Sequence, residues 1–361
     1  MLGGLVQAGT KALGGERFSL VSLLPITLLV GYVSFLWASG LYAGAAVNLG
    51  GIATEIGKNA GWAVFTVFGI FVVSVLLRPL QISLVWMLEG YWDRTPLLKW
   101  IEPLARERHL RRRRAAEVTA DQAIDLGTSM LLRSVIQDRR RVRMQEIRQR
   151  NAELRLDRYP EDREHEGDAD EIRLMPTMLG NALRKGEDDA GDRYGLDFPT
   201  IAPRLYPHLS SRISTEIARN FDAMESGASL TIVFLLAAAG SVPLLWRGDA
   251  WFLAAPIALL LALLAHLGTL RTAREHGLLL ASAVDLHRFD MLAKLRYQLP
   301  RTVDEEWELN QQLSAFLEAK IEKARVFMRD FHYVHPADQS ADASEPVSAA
   351  DEAAAPGASA D

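Results

Sequence analysis

The segment richest in groups able to do chemistry is Pro176 to Ser210, PTMLGNALRKGEDDAGDRYGLDFPTIAPRLYPHLS. In it Gly180, Asn181, Arg193, Tyr194, Gly195, Asp197, Arg204 and Tyr206 combine backbone freedom, hydrogen-bonding side chains and charge at short spacing. Two readings fit. Arg204 and Tyr206 can satisfy carbonyls or carboxylates in a packed structural corner, with Leu196, Phe198, Ile201, Leu205 and Leu209 as apolar anchors. The same groups can instead meet a ligand or a partner protein. The second concentration is RERHLRRRR, where Arg106, Arg108, Arg111, Arg112, Arg113 and Arg114 face one acid, Glu107. Together with Arg78 they are candidates for contact with anionic lipid, which attracts a cation near its surface by about 1 kcal/mol. A topology determinant with a solvated face accounts for the run equally well. Nucleic acid is not an expected partner, because no aromatic interleaving or known fold motif accompanies the arginines.

Other chemistry fails on spacing. GGIATEIGKN, Gly50 to Asn59, comes nearest to a phosphate loop, but five residues separate Gly51 from Gly57 and Asn59 stands where Ser or Thr would hold magnesium. His165 sits among the eight acids of DRYPEDREHEGDADE, Asp157 to Glu171, yet Pro160 and Gly167 make this a polar loop, and a metal needs ligands fixed by packing. His276 follows Glu275 with no second His one turn on, and no G-x-S-x-G, H-E-x-x-H or G-x-G-x-x-G occurs. The chain has no Cys, which excludes disulfides, thiolate zinc sites, iron–sulfur clusters and Cys nucleophiles. We expect no catalytic residue, no metal and no cofactor, and therefore no enzyme.

The elements that must position these residues are set by segregation of charge. Hydrophobic residues make up 49% of the 361 and charged ones 24%, a soluble-looking average. Four stretches nevertheless carry no charge over roughly the 20 residues that a membrane helix needs. They predict spans at 19–39, 61–78, 226–246 and 250–270, the last two forming a tight helical hairpin. A cleaved signal peptide competes for the first. Arg78-Pro79 ends the second, and 79–92 either lies in the interface as an amphipathic extension or continues the span. His266 near the inner end of the last span is expected at headgroup depth. Lys58 and Arg247 are the only cations on one side of these spans, so positive-inside logic puts 1–18, 93–225 and 271–361 in the cytoplasm and 40–60 outside. Trp37, Tyr42, Trp62, Trp246 and Trp251 then form an outer aromatic belt, and Trp86, Tyr91 and Trp92 an inner one.

The cytoplasmic parts read as helical. A long helix over about 115–156 carries a heptad-like stripe of Ile124, Leu131, Val135 and Val142, fitted to pair with another helix of this chain or of a neighbouring subunit. A polar loop covers 157–175. Thr177 caps a helix running to about Ala190. After the fourth span the helix continues or bends near Gly277, with Leu279, Leu286, Phe289, Leu292 and Ala293 as its apolar face. Thr302 and Glu305 form a capping box for a last helix, with Leu309, Leu313, Phe316, Leu317, Ile321 and Ala324 as its stripe. The cytoplasmic C-terminal helices occupy 271–335. The tail, 336–361, holds six carboxylates and no Lys or Arg, against a net charge of −5 for the whole chain, and its Ala/Ser/Asp/Pro composition predicts disorder. The fold expected is an all-α integral membrane protein: two transmembrane hairpins, a mostly helical cytoplasmic domain and a disordered acidic tail.

RPLQISLVWMLEGYW (Arg78 to Trp92), PTMLGNALRKGED, RYGLD, PRLYP and AVDLHRFDMLAKL (Ala283 to Leu295) resemble segments of a family of uncharacterised bacterial multi-pass, four-span membrane proteins. The likeness spreads over most of 61–318. It implies a bacterial plasma membrane location and carries no activity or site residue with it. Three function classes remain. One is a membrane-anchored interaction, scaffolding or signalling protein whose partners are membrane lipids and another protein or a second copy. Another is an oligomeric pore gated by the cytoplasmic domain; small residues at Gly40 to Gly44 and Ala237 to Gly240 allow the close packing it needs, but polar lining is scarce. A membrane enzyme lacks any signature.

Overall fold

A computed structural model describes residues 20–44, 61, 64–65, 68–69, 71–72, 83, 86–92, 96–131, 139–160, 173–319 and 333. Every named element among them is helical, and Tyr297 and Tyr333 form one isolated antiparallel bridge. Two compact units are present, residues 1–190 with 210–282, and residues 191–209 with 283–361. Three helical stretches are long and apolar enough to cross a membrane: Pro25–Ala43, Ser211–Trp246 and Ala250–Lys294. The chain is thus all-α, with membrane-spanning helices and a large helical region outside them. The predicted span at 61–78 lies mostly outside the described residues, its extension is described at 83 and 86–92, and Arg78, His165 and the tail lie outside them.

In the first unit, helix α1 (Leu20–Ala38) packs on the long α6 (Ser211–Ser241), and α6 returns through two short 3-10 turns and a three-residue link into α7 (Ala254–Lys294). Leu36, Leu41 and Leu244 are buried together, with Tyr32, Phe35, Trp251 and Ala254 around them. Tyr42 Oη donates to the Gly240 carbonyl at 2.9 Å, and Arg247 Nη1 donates to the Leu41 carbonyl at 2.6 Å. The far end of α1 and the α6–α7 turn therefore share one end of the bundle, and Trp37 and Trp246 stand 81% and 80% exposed there. Leu88 packs at the other end, on Leu179, Ala182, Met224 and Ala273. The twenty residue steps from Met224 to Leu244 rise about 30 Å at roughly 1.5 Å each, the thickness of a hydrocarbon core.

The α6–α7 seam is built from small side chains. Ala255, Ala258, Ala262 and Thr269 of α7 are buried, with Ala237 and Ala238 of α6 against Ala258, while Leu260 and Leu264 point outward at 54% and 55% exposure. Lipid tails solvate leucine as well as another helix does, so close backbone approach decides which face turns inward. A Cβ on Gly227 would lie 2.5 Å from Thr269 Oγ1. Tyr32 Oη and Ser241 Oγ hydrogen-bond at 2.5 Å, giving two hydroxyls partners inside the apolar layer.

The predicted helix over 115–156 is two helices, α2 (Glu102–Leu131) and α3 (Arg139–Leu156), packed on each other. They run antiparallel: His109 meets Tyr159, and Arg113 and Glu117 lie beside Asp157 and Glu153. The partner is in this chain, and alanines line the hairpin seam (Ala116, Ala120 and Ala152 are buried). The stripe residues Ile124, Leu131, Val135 and Val142 have side chains outside the described set.

Helix α4 (Met178–Gly191) starts as expected, with Thr177 Oγ1 accepting from Gly180 N–H at 3.0 Å. It crosses α7 at glycine: a Cβ on Gly277 would lie 2.7 Å from the Gly186 Cα. Helix α7 is continuous through Gly277. This crossing also sets the phase of α7. Ala273, Leu280, Ala283, Val284, Met291 and Leu292 face inward, while Leu286 and Phe289 of the predicted face stand 66% and 39% exposed.

The second unit comprises α5 (Phe198–Leu205), α8 (Val303–Glu318) and the last turns of α7. Phe198, Ile201 and Leu205 of α5 are buried and α5 packs on α8. Thr302 Oγ1 accepts from Glu305 N–H at 3.2 Å, but Glu305 Oε2 takes the Arg301 N–H at 2.7 Å rather than closing a box on Thr302. Leu313 of the expected stripe is fully buried, and Glu306 and Asn310 share its face. Helix α8 ends at Glu318, so Ile321 and Ala324 fall outside it and outside the described residues.

Candidate functional site

The Pro176–Ser210 residues fall into two separate structural tasks. In the first unit, Asn181 is fully buried and acts as a bracket. Its Oδ1 accepts from Met175 N–H at 2.9 Å, and its Nδ2 donates to the Met175 and Thr177 carbonyls at 2.9 and 2.8 Å. Thr177 Oγ1 donates to the Glu89 carbonyl at 2.8 Å. Gly180 lies so close to that same carbonyl that a Cβ would overlap it. Gly90 (φ +102°) turns the chain beside Pro176. The LGN phrase thus staples the Leu88–Gly90 segment to α4. An Asn side chain suits this because it offers an acceptor to the Met175 N–H and donors to the Met175 and Thr177 carbonyls at once.

In the second unit the RYGLD phrase makes a 3-10 turn, Asp192–Tyr194, closed by Gly195 at φ +71°. A Cβ there would approach the Trp307 carbonyl to 2.8 Å, so only glycine fits both the conformation and the space. Asp197 caps α5 by accepting from Thr200 N–H at 3.3 Å, while its own N–H donates to Ser314 Oγ at 3.0 Å. Arg204 Nη1 donates to the Thr200 carbonyl at 2.7 Å, one turn back on its own helix. Arg193 and Tyr206 are exposed.

Tyr194 is the hub. Its Oη donates to Asp285 Oδ1 at 2.7 Å, and its carbonyl accepts from Asn310 Nδ2 at 2.9 Å. Its ring carries the Arg288 guanidinium 4.1 Å from the centroid. Arg288 Nε in turn donates to Glu306 Oε1 at 2.6 Å, with side-chain exposures of 14% and 8%. Burial, then the bond to Asp285, pushes the Tyr194 phenol above its ordinary value, so it stays a protonated donor. A phenol held this way positions neighbours and is a poor nucleophile. Asp285, Arg288, Glu306 and Asn310 were not singled out from sequence. The available signal was Glu306 and Asn310 one turn apart beside an otherwise apolar stripe.

The arginine run is not uniform. Arg113 is buried against α3 and bonded to Glu117 at 3.0 Å, so it is a packing residue rather than a lipid contact. Arg106 pairs with Glu102 at 2.6 Å and Arg111 with Glu107 at 2.5 Å. Arg108, Arg112 and Arg114 are exposed. His109, on the inner face, meets the Tyr159 hydroxyl at 3.3 Å. Burial first, and then the charges of Arg112 and Arg108, hold its imidazole below the ordinary histidine value.

Among the described residues no three His, Asp or Glu side chains are grouped to hold a metal ion. No family model, no curated protein and no solved structure matches this chain.

Proposed function

We propose that the protein is a membrane-anchored interaction or scaffolding protein that acts through its second unit. The observation that carries this is apolar surface beyond the uncharged runs 226–246 and 250–270. Leu286 and Phe289 on α7, and Val303 and Trp307 on α8, are 66%, 39%, 78% and 40% exposed. The Arg288–Glu306 pair joins these two helices, whose inner faces are already filled by Met291, Leu292 and Leu313. Large apolar side chains left over on a packed unit are what a protein partner covers.

In this reading the protein belongs to the four-span bacterial family that its LGN, RYGLD and PRLYP phrases resemble. It lies in the plasma membrane with both termini cytoplasmic, and the second unit faces the cytosol. The shared end of α1 and the α6–α7 turn supports the topology, since both were assigned to the outer side.

The test is site-specific photo-crosslinking in native membranes. A photoreactive residue in place of Phe289 or Val303 should capture one discrete polypeptide, and one in place of lipid-facing Leu260 should not. Crosslinks to lipid alone from Phe289 and Val303 would refute the interaction surface. Crosslinks only to a second copy would redirect the reading to an oligomer, with conductance in liposomes as the next measurement.

A further inference from the structure

A groove of about 720 Å³ runs along the first turns of α2 in the first unit. One wall is apolar: Trp92, Leu104 and Pro176 line it, and Leu104 stands 69% exposed. Arg108 and Arg112, one helical turn apart, follow Leu104 along the same face of α2 and border the groove beside His109. Both arginines are exposed, and neither has an ion pair among the described residues, whereas Arg106, Arg111 and Arg113 each hold a carboxylate. Glu107 also borders the groove, but Arg111 engages it.

The groove's depth follows from its first lining residue. Leu88 packs on the Leu179, Ala182, Met224 and Ala273 cluster, as does Leu270, and the uncharged runs of α6 and α7 begin at Ser226 and end at Leu270. Trp92 lies four residues on, and four residues reach at most about 14 Å. Its indole Nε1 donates back to the Met87 carbonyl at 2.7 Å, so the segment is folded shorter than that. A headgroup layer of roughly 5–8 Å borders the hydrocarbon. Apolar lining, two adjacent exposed cations and interfacial depth together match one chemistry: an anion with an acyl chain.

We propose that this groove binds an anionic phospholipid, with the phosphate between Arg108 and Arg112 and a chain on Leu104, Trp92 and Pro176. A bare phosphate would use the arginines and leave the apolar wall wet. This site goes beyond the partner-binding role of the second unit and does not depend on it.

The experiment is native mass spectrometry of the full chain released from micelles holding dioleoyl-phosphatidylglycerol and dioleoyl-phosphatidylcholine in equal amounts. The wild type should retain phosphatidylglycerol preferentially. Arg108→Gln/Arg112→Gln should lower that preference by roughly fivefold per cation removed. These side chains are exposed, so their loss leaves packing intact. The charge-matched control Arg114→Gln/Arg148→Gln should stay within about twofold of wild type, as expected for solvated cations. Leu104→Asn should weaken retention without changing charge. A control that falls as far as the Arg108/Arg112 variant would mean unspecific surface attraction and overturn the site. Displacement of the lipid by tens of millimolar inorganic phosphate would make free phosphate the occupant and equally overturn it.

Discussion

Replacing Glu306 by Gln should loosen the second unit far more than a surface substitution. Glu306 and Arg288 lie 2.6 Å apart with little exposure, and Arg288 also donates to the Asp285 carbonyl and lies over the rings of Tyr194 and Phe289. Unit charges about 4 Å apart attract by roughly 4 kcal/mol at an effective dielectric near 20. Desolvation offsets most of that, so the intact pair adds little net stability. Removing one member is different, because it leaves a buried guanidinium uncompensated, at a cost of about 3–5 kcal/mol. Stacking and the Asp285 carbonyl soften this toward the lower figure.

The native chain has no Cys, so Ala202→Cys, on the buried face of α5, gives a clean reporter of opening. About 3 kcal/mol corresponds to thiol labelling roughly 150-fold faster in Glu306→Gln than in the parent. The double change Arg288→Met/Glu306→Leu removes both charges and keeps bulk, and should recover to within about tenfold of the parent. If Glu306→Gln labelled at the parent rate, the pair would not be holding the unit. If the double change labelled as fast as the single one, shape rather than an orphaned charge would be responsible.

Three further outcomes follow. Gly277→Val places side-chain carbon where the Gly186 backbone sits, and should destabilise the α4–α7 crossing by about 1–3 kcal/mol, read as a lower melting temperature in detergent, while exposed Leu278→Val shows little change. His109 binds protons less readily folded than unfolded, so its contribution to stability is present above the ordinary histidine value and lost as pH falls from there through the depressed folded value; a wild-type melting temperature that declines across this window no more than that of His109→Phe would refute the assignment. Single Cys at Ala45 and Gly248 should react with an impermeant reagent from outside intact cells and at His165 and Ser340 only after permeabilisation; labelling of Ala45 and Gly248 from opposite sides would break the proposed topology.

Spans are legible because lipid imposes a one-dimensional rule. A segment without charge over the bilayer thickness needs no tertiary context to be recognised, and the runs starting at 226 and 250 reappear within the helical stretches Ser211–Trp246 and Ala250–Lys294. Caps are local too, which is why Thr177 and Thr302 could be placed from their neighbours alone, whereas the Asp197 cap of α5 emerged only in the structure. Helix faces were decided elsewhere. The inward face of α7 is carried by Ala273 and Gly277, which hydrophobicity ranks low, because crossing Gly186 requires small side chains rather than greasy ones. The arginine run divides the same way: composition marks six equivalent cations, and only the α2–α3 hairpin buries Arg113 and leaves Arg108 and Arg112 facing a groove. Amino-acid order thus determined which segments leave water and where helices begin. Which atoms meet across helices was settled by three-dimensional packing, since a contact between Tyr194 and Asn310 depends on backbone geometry more than a hundred residues apart in sequence.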